Sequence, residues 1–369
     1  MSGEPSVAYL CLQAARQGQA SYAHVHEIVD GLRRRGLGVT LFDVAYAAEG
    51  ARVPGPAGRL LEFRRTQRRL AASSLGADAV YVRAHPAARP TSRWARGLGI
   101  PVVQEVNGPY ADVFAAWPAM RPFERWLVAA MREQYRAADA LITVTPQLAE
   151  WLSAETGRSD VHVIPNGANT SVFTPGAPRR SGLPGRYAVF FGAFAPWQGI
   201  GTLLEALRRP QWPAGVSLVL VGDGAERPAV AEAAAEDPRV VYLGGLGYRE
   251  LPGVVAGALA GVVPAAGGRA ATGLSPLKLY ETLACGVPAI VTDFPGQADL
   301  VRDRGTGLVV PPEDPAALAS AVATLAGSPQ EAVAMGRRGR EVVAAEHSWD
   351  ARAAATAEVI ASVVEARRR

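Results

Sequence analysis

Short apolar runs alternate with amphipathic stretches along most of this chain. SVAYLCL, close to the start, reads as a buried strand. SYAHVHEIVDGLRRRG then has helical spacing, with Val25, Ile28, Val29 and Leu32 on one face and Gly36 as its stop. GVTLFDV and ADAVYVRA follow as strands, RWARGLG as the end of a helix, and IPVVQEV as another strand. A long helical region over 121–138 leads into DALITVT and VHVIPNG. Strands and helices in this order predict a parallel sheet covered on both faces.

Over 174–186 the pattern lapses into TPGAPRRSGLPGR, a Pro, Gly and Arg segment without apolar periodicity. It sets a domain boundary at 176, with a first domain over 1–176 and a second over 177–346. The alternation restarts with YAVFFG, IGTLLEALRRP, VSLVLVGDG, PAVAEAAAED, VVYLGG and GALAGVVPAA, and ends in GLVVPP and a series of helices. The expected fold class is α/β, two Rossmann-like, doubly wound domains. Ligands of such sheets bind at the carboxyl ends of the strands, so two facing sheets would define a cleft.

Composition narrows the partners. The 369 residues are 49% hydrophobic and 20% charged, as in a globular protein. No apolar run is long enough to cross a bilayer, and the start MSGEPSVAYLCLQ lacks the basic and apolar regions of a signal peptide, so the expected location is the cytoplasm. Cys11 and Cys285 each sit in an apolar segment, as packing residues of a reducing compartment would, and no Cys/His spacing suggests a metal. A net charge of +4 is far from that of a nucleic-acid-binding protein. The densest basic run, RLLEFRRTQRRLAA over 59–72, admits two readings. It is a solvated helix face or, with Trp94, Trp117, Phe123 and Trp126 nearby, a peripheral contact with the inner face of the membrane.

Neither half has G-x-G-x-x-G after its first strand, and VGDG, with Gly222 and Gly224, offers only G-x-G. No Walker sequence occurs. A dinucleotide oxidoreductase is therefore disfavoured and a P-loop NTPase excluded.

The segment SPLKLYETLACGVPAIVTD, over 275–293, carries a sharper signal. Lys278 is the only lysine in a chain whose Lys and Arg together number 38. Ser275 as cap and Pro276 as first helical residue make a helix start, and Gly286 followed by Pro288 makes its stop. Lys278 then occupies the third helical position, where a cation opposes the helix dipole at a cost of ~0.3–1 kcal/mol. A bound anion reverses that sign, because free N–H groups, the dipole and an ammonium would converge on one phosphate. Glu281 lies one turn further along the same face. An i,i+3 salt bridge worth ~0.2–0.5 kcal/mol is one account of the pair. The favoured account puts Lys278 on a diphosphate and Glu281 on sugar hydroxyls.

On these residues the segment resembles the donor-site segment of glycosyltransferase family 4, retaining GT-B enzymes that use nucleotide-sugar donors. YAVFFGAFAPWQGIGTLLEAL, LVLVGDGAERPAV, VHVIPNGANTSVFTP and GQADLVRDRGTGLVVPPEDPAALASAVATL match in order, and HSWDARAA opens the last helix. The resemblance spans nearly the whole chain and is strongest after Val161. It implies a GT-B fold whose final helix, about 347–369, crosses back to the N-terminal domain. It also implies a nucleoside-diphosphate sugar as donor, UDP-sugar by default, a hydroxyl acceptor, and no metal or other cofactor.

Carried over by position, Glu281 takes the family's ribose-binding place. The segment follows the S-P-x-K-x-x-E subgroup, in which Ser275, the backbone at Leu277 and the Lys278 ammonium would hold the diphosphate and sugar. Gly273 stands where the family often has a glutamate on the donor sugar. Ala193 and Gln198 replace an Arg and a Lys that the family places after Gly192, so Lys278 is left as the cation the leaving group can least spare. Gly222, Leu243 and Gly244 would line the base and ribose pocket. On the acceptor side the resemblance points to Gly18, near the donor phosphate, to His24, and to Asn107, in place of a histidine near the reacting sugar. Glu105, Arg83 and His85 end strands on that side, as acceptor contacts or as structural groups. His26 reads as a surface or packing residue and Asn166 as part of the interdomain turn.

The function implied is transfer of a hexose-type sugar, with retention, to an envelope glycan, a lipid precursor or a small natural product. Its chemistry is a front-face displacement that rests on positioning and on stabilising the departing diphosphate. Two rivals stay open. Ala193, Gln198 and Gly273 motivate an inactive nucleotide-sugar-binding scaffold. An epimerase on the same fold is disfavoured by a total of five histidines.

Overall fold

A computed structural model describes residues 5–267 and 272–369. The chain divides into two compact units: one runs to Pro165 and takes in Asp350–Arg369, the other is Asn166–Trp349.

The first unit is built on six parallel strands: β1 (Ser6–Cys11), β2 (Gly38–Asp43), β3 (Ala79–Arg83), β4 (Val102–Val106), β5 (Ala140–Thr143) and β6 (Val161–Val163). Their order is β2-β1-β3-β4-β5-β6, so the winding reverses between β1 and β3. Leu10, Val82 and Val102 pack on one side of the sheet with Phe42 and Leu70, while Tyr9 and Tyr81 are equally buried on β1 and β3. Burial on both faces explains why β1 and β3 read as near-continuous apolar runs, whereas the edge strand β2 alternates and buries only Val39 and Phe42. The helix Ala20–Arg34 buries Val25, Ile28, Val29 and Leu32, and Gly36 ends it at φ +81°, as its spacing predicts.

The second unit has the same construction: β7 (Tyr187–Phe191), β8 (Ser217–Val221), β9 (Val240–Tyr242), β10 (Ala260–Val263), β11 (Ala289–Thr292) and β12 (Gly307–Val310). The order β12-β11-β10-β7-β8-β9 is that of a Rossmann sheet, with its reversal between β7 and β10. The sequence reading did not separate β11, a four-residue strand that follows its helix after only Cys285, Gly286, Val287 and Pro288. Phe190, Leu203, Leu220 and Ile290 fill one side of this sheet, and Val189, Phe191, Leu279 and Val291 the other.

Two boundaries differ from those read in the sequence. The division comes at Pro165, ahead of 176, because the next residues already pack into the second unit. Ala168 and Phe173 join its core, and the Arg340 guanidinium donates to the carbonyls of Thr170 at 3.1 Å, Phe173 at 2.9 Å and Ala284 at 3.0 Å. Residues 174–186 do lack helix and strand, but they lie inside the unit, where the Arg180 N–H reaches the Gly253 carbonyl at 2.9 Å. The return comes at Asp350 rather than 347. Ala168 pairs with Ser348, the Ala168 N–H donating to the His347 carbonyl at 2.9 Å and the Trp349 N–H to the Ala168 carbonyl at 3.1 Å.

The last helix, Trp349–Arg368, completes the first unit. Val359, Ile360, Val363 and Val364 are buried. Arg34 meets Asp350 at 2.6 Å, Arg368 meets Asp78 at 2.7 Å, and Arg367 donates to the Gly99 carbonyl at 2.9 Å. Exposed pairs of this kind contribute little, so the apolar face does most of the holding. Among the described residues no helix is long and apolar enough to cross a membrane.

One contact fixes the helix Leu277–Ala284 from behind. The helix Pro329–Glu346 presses on it through Gly336 and Gly339. A Cβ at Gly336 would collide with the Gly286 carbonyl, and one at Gly339 would stand 2.7 Å from Leu283 Cδ2. Gly336→Ala therefore sets two effects against each other. Helix propensity favours alanine by ~1 kcal/mol, whereas overpacking against backbone costs ~1–3 kcal/mol. The expected outcome is a lower urea midpoint at unchanged m-value; a higher midpoint would show that the two helices are not in close contact.

Candidate functional site

In the second unit the ends of β7, β8 and β9, on one side of the switch point, are drawn together by backbone. The Gly192 N–H donates to the Val221 carbonyl and the Gly222 N–H to the Gly244 carbonyl, each at 2.9 Å. Tyr242 Oη donates to the Gly222 carbonyl at 3.1 Å. Gly192 and Gly222 have φ of +127° and +147°, and a Cβ at Gly222 would collide with the Gly192 carbonyl. Glycine is required there because the ends of β7 and β8 pass backbone to backbone. Leu243, partly buried, and Gly244 continue this edge after β9. A short 3-10 turn at Pro196–Gln198 then folds the chain back, and the Ala266 N–H beyond β10 ties to the Trp197 carbonyl at 3.0 Å.

Lys278 enters this edge from the helix Leu277–Ala284. The helix starts one residue later than its sequence suggests, with Pro276 as cap, so Lys278 is its second residue. Ser275 has a different task. Its hydroxyl accepts from the Asn166 N–H at 3.0 Å and lies 2.8 Å from Tyr280 Oη, and its carbonyl accepts from Asn166 Nδ2 at 2.6 Å. Asn166, read as a turn residue, thus clamps the start of this helix.

The Lys278 side chain is 8% exposed. Its Nζ donates to Gln198 Oε1 at 2.7 Å and sits 3.8 Å from the centroid of the Phe190 ring. It also lies 3.3 Å from where a Cβ on Gly192 would stand, so the missing side chain makes room for it. Burial lowers its pKa from 10.5 to about 7, against the pull of the Glu281 charge. The ammonium turns to Gln198 rather than closing an ion pair on Glu281, which is buried on the same helix. The salt-bridge account of the two residues therefore falls. Gly273, at φ +70°, precedes this helix, and the Leu274 N–H donates to the Pro295 carbonyl at 2.8 Å.

The first unit gathers a different cluster. Glu105, at the end of β4 and 2% exposed, is ringed by donors. Tyr81 Oη donates to it at 2.7 Å, Tyr9 Oη at 3.4 Å and Arg83 Nη1 at 2.5 Å. His24 Nε2 is 2.9 Å from its Oε1, and Asn107 Nδ2 donates to the same oxygen. Burial alone would push this carboxyl up. The His24 and Arg83 charges and the donated hydrogen bonds outweigh it and hold the group below its ordinary range. Burial and the neighbouring carboxylate push Tyr9 and Tyr81 well above theirs.

Sequence reasoning named four members of this cluster: His24, Arg83, Glu105 and Asn107. It missed Tyr9 and Tyr81, whose only signal was a tyrosine at the same register on neighbouring strands. Likewise it missed Phe190 beside Lys278. His85 does not join the cluster. Its Nδ1 accepts from the Ala87 N–H at 3.1 Å, its ring packs on Phe63, and burial lowers its pKa to about 4, so it caps a turn. Gly18, exposed at φ +83°, lies ahead of the helix that carries His24.

Two family models match, "Glycosyltransferase Family 4" over residues 23–172 and "Glycosyl transferases group 1" over 185–360. The chain belongs to the family 4 glycosyltransferases. This glycosyltransferase is 25% identical to a glycogen synthase of Mycobacterium tuberculosis over 76% of its own length and 68% of that protein. It is 32% identical to the same organism's GDP-mannose-dependent alpha-(1-6)-phosphatidylinositol monomannoside mannosyltransferase, over 58% of each chain. Its fold is GT-B. The sucrose-phosphate synthase of Thermosynechococcus elongatus superposes with a TM-score of 0.82 at 21% identity, over 98% of this chain and 100% of that one. HepE of Anabaena in complex with UDP-glucose does so with 0.71 at 17%, over 97% and 99%.

Two outcomes check the electrostatics of this glycosyltransferase. Glu105→Gln leaves the buried Arg83 guanidinium without its counter-charge, so at pH 7 it is expected to cost ~3–5 kcal/mol in urea denaturation. A folded pKa below the unfolded one stabilises above roughly pH 4 and is lost as pH falls further, so the difference from wild type should shrink at pH 3. An equal cost at both pH values would mean the carboxylate charge does not matter. Lys278 has the opposite consequence. Its unfolded state binds the extra proton between about pH 7 and 10.5, so its burial penalty is full below pH 7 and fades upward. Unliganded Lys278→Met should melt above wild type at pH 6.5, with the gap closing toward pH 10; a constant gap would contradict the lowered pKa.

Proposed function

We propose that this glycosyltransferase is a retaining hexosyltransferase that takes its sugar from a nucleoside diphosphate and passes it to a hydroxyl acceptor. The observation that carries the reading is the buried Lys278 ammonium, held by Gln198 at the switch-point edge beside Gly192. An unliganded protein gains nothing from a cation at a helix start in a low-dielectric setting. A diphosphate there would restore its proton and supply the charge it lacks, together with the free N–H groups of the first helical turn. Glu281 would take the ribose hydroxyls, and the backbone of Gly222, Leu243 and Gly244 would wall the base. The relatives support this donor class, since one is named for GDP-mannose and HepE was solved with UDP-glucose; a UDP-sugar remains the default donor for this chain.

In the displacement, the bond from the anomeric carbon to the phosphate oxygen breaks as the acceptor oxygen bonds on the same face. The acceptor proton passes to the departing phosphate. Charge develops on the diphosphate, so the residues that hold it do the catalytic work. Lys278 carries that role, with Gln198 aiming its Nζ. On the acceptor side, Asn107 and Arg83 are held by Glu105, which is saturated by its own donors and acts as their anchor. No metal or further cofactor is part of this proposal. Ala193 and Gln198, in the places of two cations, favour one alternative, a scaffold that binds donor without turnover.

Thermal melting with UDP, GDP, ADP and dTDP tests the donor site. A nucleotide at ~100 times its Kd should add ~2.7 kcal/mol. One of the four is expected to stabilise wild type and not Lys278→Ala, and its affinity should fall as pH rises above 7, where the empty site holds an uncharged amine. Binding by none, or binding indifferent to Lys278, would sink the donor site. Binding without transfer of label from any nucleotide sugar would establish the scaffold.

A further inference from the structure

The first unit carries an apolar row that its own fold leaves unused. Every residue from 115 to 126 is exposed. Within this run Pro118–Phe123 forms a 3-10 helix, in which residues three apart eclipse one another. Trp117, Met120 and Phe123 follow that spacing, and Trp126 continues it into the helix Glu124–Arg136. Trp117 and Phe123 are each 50% exposed and Trp126 57%. The rings of Phe123 and Trp126 stand 6.2 Å apart. Single exposed apolar residues are ordinary, but a contiguous aromatic row marks a contact surface.

Cations rim the row. The Arg59 guanidinium lies 4.4 Å over the Trp117 ring, which joins the row to the basic helix Pro56–Ser73. That helix buries Thr66 and Leu70 and turns Leu61, Arg64, Arg65 and Arg68 to solvent. None of these three arginines has an ion pair among the described residues. Arg121 and Arg125 lie along the row itself, Arg125 at 4.7 Å over Trp126. The acidic groups of these segments are Glu62 and Glu124, and Glu62 is engaged by the Ala45 N–H at 2.9 Å.

We propose that this face docks on an anionic lipid bilayer, with the aromatic row in the headgroup boundary and the arginines on lipid phosphates. The charge excess selects the occupant. A second copy of this chain, meeting face to face, would set arginines against arginines. A sheet of anionic headgroups meets the unpaired cations and the aromatic row at once. The inference stands apart from the donor site, since all of its residues lie in the first unit and Lys278 lies in the second.

Sedimentation of the full chain with phosphatidylcholine vesicles, with and without phosphatidylglycerol, tests it. Two variants accompany wild type, Trp117→Ser/Phe123→Ser/Trp126→Ser and Arg64→Glu/Arg65→Glu/Arg68→Glu. All six positions are exposed, so both should melt with wild type. Wild type is expected to pellet with the phosphatidylglycerol vesicles and to be released by salt. Each surface arginine is worth roughly fivefold in partition, so the charge reversal should weaken it on the order of a hundredfold or more. The serine variant should lose most of what remains at high salt. Failure of wild type to pellet at low salt, equal pelleting with neutral vesicles, or either variant behaving as wild type would overturn the proposal. A dimer in light scattering that dissolves in the serine variant would assign the face to a second copy instead.

Discussion

Burial of one ammonium organises the second unit. A primary amine nearly free of solvent is disfavoured by several kilocalories unless something offsets the loss of hydration. Here the offsets are partial: one amide oxygen from Gln198, one aromatic face from Phe190, and the field of Glu281. Room for them comes from Gly192, whose absent side chain would otherwise stand against Nζ. The glycines at 336 and 339 let a second helix brace the one that carries the lysine. Strand ends, turn and backing helix thus converge on a charge that the empty protein only half supports.

The first unit handles charge in the opposite way. Glu105 is as buried as Lys278 but is surrounded by donors, the Arg83 guanidinium among them, and its carboxylate is favoured by its setting. A saturated group of that kind fixes geometry, whereas an undersaturated one waits for a partner. The contrast separates an anchor from a binding group without appeal to either residue's identity.

Much of this was legible in the chain. Eleven of the twelve strands among the described residues show as apolar runs, because the inner strands of a parallel sheet, buried on both faces, leave little room for polar residues; the four-residue β11 hid between a helix stop and a turn. The lone lysine and its helix start pointed to the site, since a cation placed against a dipole needs a reason. What the sequence did not show depends on register and on side-chain direction. Nothing in VFFG says that Phe190 turns toward Lys278, and nothing in YVRAHP says that Arg83 reaches Glu105 while His85 caps a turn. Asn166 looked like a turn former, and its clamp on Ser275 joins residues far apart in the chain. The domain edges moved, from 176 to 165 and from about 347 to 350, for a similar reason, since Phe173 and Trp349 declare their allegiance only through packing.

The helix Trp349–Arg368 gives the first unit a peculiar birth. Its sheet leaves the ribosome early, but the helix that completes the unit, with Val359 and Ile360 buried, is made only after the second unit. Synthesis of 166–349 intervenes, a delay on the order of ten to forty seconds at ~5–20 residues per second. The second unit is continuous in the chain and can finish folding during that interval. The first stays unfinished until residues 350–369 emerge, which makes that stretch the step at which a nascent chain is most exposed to chaperones and proteases.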